Sequence, residues 1–128
     1  GFLIQYKPTG EKLLYATDTY YIKYRFTKVN YLLLECNYIK EIAKENVENG
    51  IINKSRYIRL LESHFSLDNL LKFLQANDLK DAKEIILCHL SNDNSNEQIM
   101  KNKVYEQTGV STTIARPGLN IELKLYPF

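Results

Sequence analysis

Three polar side chains stand where apolar segments give way to loops: Asp18, His64 and His89. Open α/β sheets place their sites at strand ends, because the sheet fixes the loops that carry the chemistry. His89 lies past the apolar run Glu84–Cys88 rather than within it, which favours a ligand position over a core histidine. A solvated loop histidine is the competing reading. Asp18 closes the segment that ends at Ala16 and reads equally as a turn or capping residue. His64 directly precedes a helix cap and reads equally as a solvated loop residue. A carboxylate and two imidazoles together offer ligation or proton transfer near neutral pH.

Few other motifs compete with these residues. The chain has no C-x-x-C, G-x-G-x-x-G, P-loop, H-E-x-x-H or G-x-S-x-G pattern. Cys36 and Cys88 each close an apolar strand and read as buried structural thiols rather than nucleophiles. Of the 10 tyrosines, several adjoin Lys or Arg, as in Lys23-Tyr24-Arg25, a pairing able to stack on bases but more simply explained by packing.

The positioning elements follow from periodicity. Phe2, Ile4 and Tyr6 alternate with Leu3 and Gln5, and Pro8 and Gly10 suit a turn into a second strand, Lys12–Ala16. Tyr31–Cys36 fits a buried strand. Ile39, Ile42, Ala43 and Val47 form a helical stripe that Asn49 and Gly50 end. Ser55–Leu61 reads as a short helix with Tyr57, Ile58 and Leu61 on one side. Ser66 is placed to cap a helix carrying Leu67, Leu70, Leu71 and Leu74. After the strand Glu84–Cys88, the polar stretch Ser91–Asn96 leads to a helix with Ile99, Met100 and Val104, closed by Gly109. Val110–Ala115 and Ile121–Leu125 read as final strands. Strands alternating with helices give an α/β class.

Composition narrows the setting. At 128 residues, with 45% apolar and 25% charged, the chain is sized for one globular domain over 1–128 and is neither disordered nor fibrous. The longest apolar run, Tyr31–Leu34, is far short of a membrane span, and no signal peptide is legible. A net charge of +2 does not announce nucleic acid. Two cysteines make a disulfide framework unexpected and point to a reducing, cytoplasmic compartment.

In order along the chain, these segments resemble the C-terminal half of a metallo-β-lactamase-fold hydrolase, of the nuclease-type branch that includes ribonuclease Z and related phosphodiesterases. Gly1–Ile4 with its hairpin is similar to the strand pair opening that half. Leu14-Tyr15-Ala16-Thr17-Asp18-Thr19 resembles the T-D-T/S-G motif, Ser63-His64-Phe65-Ser66 the G-H-[LMS]-S/T motif, and Ile86–Ser91 the L-x-H-[LF]-S motif. Leu34-Glu35-Cys36-Asn37 is similar to a strand-end E-x-N of that branch. The resemblance covers almost the whole chain.

The resemblance implies a C-terminal half of the four-layer αβ/βα sandwich, a mixed sheet with flanking helices, and a metal-dependent, phosphodiester-directed hydrolase that uses zinc, two ions in the complete fold. It makes Asp18 a bridging carboxylate, His89 an imidazole ligand and His64 the catalytic group on the leaving-group side; Asn92 and Asn94 would position backbone or phosphate. The family's D-T-G reads Asp18-Thr19-Tyr20 here. Its H-x-H-x-D-H motif belongs to an N-terminal half that this sequence does not contain, and the chain has only 2 histidines. The expectation is therefore a chain inactive alone and binding zinc weakly at best. Its partners would be the missing N-terminal half or a second copy of itself, joined through a bare sheet face, with nucleic acid as a possible substrate and no membrane. The alternative expectation is a non-enzymatic, self-associating half-fold or binding module.

Overall fold

A computed structural model describes residues 1–124. Strands β1 (Phe2–Tyr6) and β2 (Glu11–Ala16) form the expected antiparallel hairpin. Its turn closes with the Gly10 amide donating to the Tyr6 carbonyl at 2.8 Å, and Gly10 takes φ +76°, a conformation in which other residues are strained. β3 (Tyr31–Glu35), β4 (Glu84–Cys88) and β5 (Thr112–Ile114) add in parallel, giving the order β1-β2-β3-β4-β5. Helices α1 (Lys40–Glu48), α2 (Lys54–Ser63) and α3 (Leu67–Ala76) fill the β3–β4 connection, and α4 (Glu97–Thr108) fills the next. The protein is thus α/β, with a mixed five-stranded sheet and four helices among the described residues.

The helix starts are set by short polar side chains. Asn53 accepts from the Arg56 amide at 2.7 Å, Ser66 from Asn69 at 3.1 Å and Asn96 from Ile99 at 3.0 Å. Each such cap contributes roughly 1 kcal/mol. Gly109 ends α4 in the left-handed conformation, as its position in the sequence predicts.

Strand register sorts the sheet into two unlike faces. Leu14, Leu32 and Ile85 align across it, as do Ala16, Leu34 and Leu87. These rows pack against Phe65, Leu70, Leu74, Met100 and Val104 to form the core. Parallel strands in sequential order, each joined by a right-handed crossover, place their connections on one face. The opposite face carries Phe2, Ile4, Leu13, Tyr15, Leu33 and Ile86 by the same register. Its exposure is uneven: Phe2 and Ile4 at the β1 edge are 67% and 53% exposed, whereas Tyr31 and Ile86 are buried.

Two expected boundaries change. Val110–Ala115 contracts to Thr112–Ile114, because Pro117 and Gly118 turn the chain away and the Leu119 amide donates back to Arg116 at 2.9 Å. The expected strand Ile121–Leu125 does not form over 121–124, and Leu125 lies outside the described residues. The predicted apolar side of α2 is only half covered: the helix rests against α1 near the surface, and none of its residues is fully buried. Among the described residues no helix is long and apolar enough to cross a membrane.

Candidate metal centre

The register that builds the core also builds a site. Ala16, Leu34 and Leu87 lie side by side on β2, β3 and β4. Asp18 and His89 each follow two residues later, and Glu35 one residue later, so all three emerge at the same edge of the sheet. His64 arrives from elsewhere. It caps the C-terminus of α2, its amide donating to Leu60 at 3.1 Å, and the chain then runs beside the residues following β3. The Asn37 amide donates to the Phe65 carbonyl at 2.8 Å, and Tyr38 bridges Ser66 in parallel.

These four side chains each offer a ligand atom, and the four atoms lie within 4.8 Å of one another. The structure therefore brings Asp18, His64 and His89 together, and adds Glu35. Asp18 and His89 both hold left-handed backbone, with φ +57° and +56°. Such strain in residues other than glycine persists only where the surrounding structure over-determines it.

Glu35 organises the cluster. Its side chain is 0% exposed, and a buried carboxylate is costly unless donors surround it. Oε2 accepts from the Phe65 amide at 2.7 Å. Oε1 meets His64 Nδ1 at 3.2 Å, the Asp18 amide at 3.4 Å and, in a short contact, His89 Nδ1. An ionised carboxylate only accepts, and an imidazole bonded to it donates from Nδ1. Each Nε2, on the far edge of its ring, then points away from Glu35. Carboxylates that fix the tautomer and orientation of histidines in this way are the usual support of imidazole metal ligands. His89 Nδ1 also approaches Asp18 Oδ1 at 3.6 Å, and the two imidazole rings meet edge-on, 5.1 Å apart. Asp18 and the Nε2 atoms of rings oriented in this way are donors of the types that zinc takes.

The thiols take no part. Both cysteines are free; Cys36 is buried and Cys88 half-buried. Burial first, then the Glu35 and Asp18 carboxylates, push the Cys88 thiol up to about 11. Burial and Glu35 raise Cys36 as well. Neither supplies a thiolate at neutral pH.

Two clefts border the cluster. One, of about 540 Å³, is lined by His64, His89, Arg56, Arg59 and Asn92. The other, of about 570 Å³, is lined by Asp18 and an aromatic wall that includes Tyr20, Tyr21 and Tyr24. Asn92 and Asn94 both border the first cleft, and Asn94 is buried and tethers its loop to α1, its Oδ1 accepting from Asn46 at 2.8 Å.

Glu35 is the site residue that sequence reasoning left without a role. It closes an apolar run and reads as the polar end of a strand, yet that placement is itself a signal, since a carboxylate carried into a sheet needs partners. Comparison with protein-family models, curated proteins and solved structures gives no match.

Proposed function

We propose that the chain contributes one side of a metal-dependent hydrolytic centre directed at phosphodiesters, as the C-terminal half of a metallo-β-lactamase-type sandwich. The observation that carries this reading is the convergence of Asp18, Glu35, His64 and His89 at the tips of adjacent parallel strands. In it, Asp18 and His89 would hold zinc. Bound there, zinc supplies Lewis acidity and lowers the pKa of water. Glu35 holds both imidazoles by Nδ1 and keeps their Nε2 edges toward the substrate. His64, held in place by Glu35, passes a proton to the departing oxygen. Two free thiols agree with a reducing, cytoplasmic setting.

A closed zinc site takes about four ligands per ion, so Asp18 and His89 fall short of two closed sites. The chain alone is accordingly inactive and gains activity only with an N-terminal half supplying the remaining ligands. The test is calorimetric titration with zinc. Asp18→Ala or His89→Ala should weaken zinc binding at least tenfold while the fold remains intact by circular dichroism. Equal zinc binding by parent and variants would sink the metal reading.

One observation favours a second reading, a self-associating half-fold without chemistry: Phe2, Leu3, Ile4 and Tyr6 stand exposed together on the edge strand β1. Light scattering separates the two. A dimer that takes up no zinc supports the second reading, and a zinc-loaded chain excludes it.

A further inference from the structure

We propose that the pocket between segment 21–25 and α3 is an anion site that takes a diphosphate group. The pocket, of about 250 Å³, gathers Lys23, Arg25 and Lys72 around the apolar side chains of Ile22 and Phe73. None of Asp18, Glu35, His64 and His89 lines it, so the inference does not rest on the metal centre.

Its walls are fixed from behind. Asn77 ties the segment to the helix: Oδ1 accepts from the Phe26 amide at 2.6 Å, and Nδ2 donates to the Phe73 carbonyl at 2.7 Å. At the other end, Asn69 Nδ2 donates to the Tyr20 carbonyl at 3.0 Å. Phe73 is buried, and Phe26 meets it edge-on. Lys72 and Ala76, one turn apart on α3, form the helical wall. Lys23 Nζ stands 5.3 Å from the Tyr24 ring centre, whose face attracts the ammonium.

The charge is one-sided. No Asp or Glu lines the pocket, and among the described residues Lys23, Arg25 and Lys72 have no carboxylate within 4.0 Å. Asp68, one turn before Lys72 on α3, is neither a lining residue nor within that distance. The cleft beside His64 differs, because Asp93 lines it and pairs with Arg56 at 3.4 Å. Cations gathered over an apolar floor focus the field and raise the local concentration of anions. Solubility accounts for cations spread over a surface, but not for three that converge on one pocket from two elements.

The charge count selects the ligand class. A monophosphate carries only about −1.5 to −2 near neutral pH and leaves one of the cations unanswered. A diphosphate answers all of them. The Arg25 guanidinium offers a planar fork to its oxygens, and the two lysines act as point charges.

Titration calorimetry of the full chain with inorganic pyrophosphate, in chelator and at low ionic strength, tests the site. Chelator removes metal from the comparison, so failure here and failure of the metal centre are separate results. Pyrophosphate should bind at least about tenfold more tightly than orthophosphate. Arg25→Gln and Lys72→Gln should each weaken it about tenfold, the loss of one charge-assisted contact, with the fold unchanged by circular dichroism. Lys44→Gln and Lys103→Gln, at exposed lysines on α1 and α4, should leave it unchanged. Isopentenyl diphosphate, titrated in parallel, identifies the source. Tighter binding than pyrophosphate assigns the site to a diphosphate ester whose tail rests on Tyr21 and Tyr24, and equal or weaker binding assigns it to the free ion. No binding, no preference over orthophosphate, or an equal loss in the Lys44 and Lys103 variants overturns the proposal.

Discussion

Asp18 and His89, 71 positions apart in the sequence, share the same left-handed backbone at the tips of β2 and β4, and their side chains meet at 3.6 Å. Asp and His enter left-handed backbone more often than most residues other than glycine, yet it remains less favourable for them than right-handed backbone. The two strands between them therefore hold the pair in place against local preference.

That strain gives a first prediction. Asp18→Gly removes an exposed carboxylate and relieves the backbone, while the residue 18 amide still donates to Glu35. Thermal unfolding should show stability unchanged or raised by up to about 1 kcal/mol, while zinc affinity falls at least tenfold. A loss of both would mean that Asp18 serves the fold rather than the site.

Glu35 gives the opposite pattern. Glu35→Ala strands the buried Phe65 amide and releases both imidazoles, and should cost about 1–3 kcal/mol for the orphaned donor alone. Glu35→Gln keeps an acceptor for Phe65 but sets an NH₂ or a single oxygen against two Nδ1 atoms. Calorimetry should show zinc binding weakened ten- to a hundredfold, in the range typical of lost outer partners.

These substitutions also mark what the sequence made legible. Asp18, His64 and His89 stood out because each breaks from an apolar segment at its end, and the hairpin, three further strands and four helices followed from periodicity and caps. Glu35 hid inside the run Tyr31–Glu35, where register rather than residue type decides whether an end faces solvent or a cluster. The strand expected over Ile121–Leu125 does not form over 121–124, because the turn at Pro117 and Gly118 directs the chain off the sheet.

Core and site should separate under mutation. Leu70→Ala and Leu87→Ala remove fully buried side chains and should each destabilise by about 2–5 kcal/mol in denaturant unfolding. Below the unfolding transition their zinc affinity should stay within twofold of the parent. A parallel loss of affinity would mean that the cluster is not preformed.

Alkaline pH offers a probe away from the site. Tyr31 is buried, its hydroxyl donating to Glu11 Oε2 at 2.6 Å, and burial, then that carboxylate, raise the phenol above its ordinary value of 10. The folded chain thus holds the proton more tightly than the unfolded one. Its contribution is complete below about pH 10 and is lost as pH climbs toward the raised folded value. Stability measured against pH should fall on that limb, and Tyr31→Phe should flatten it. The paired effect on Glu11, lowered chiefly by the Tyr31 hydrogen bond, runs the other way and is lost in acid.

The parallel pairing of β2, β3 and β4 also dictates when the site comes into being. A hairpin closes from neighbouring residues, but β3 meets β4 only after three helices have been threaded between them, and each such closure must be met in entropy before its contacts form. The four side chains consequently have no common neighbourhood until the last long-range strand docks. Their assembly is a late event of folding, and a zinc-sensitive signal followed during refolding would time the docking of β4 rather than the collapse of the chain.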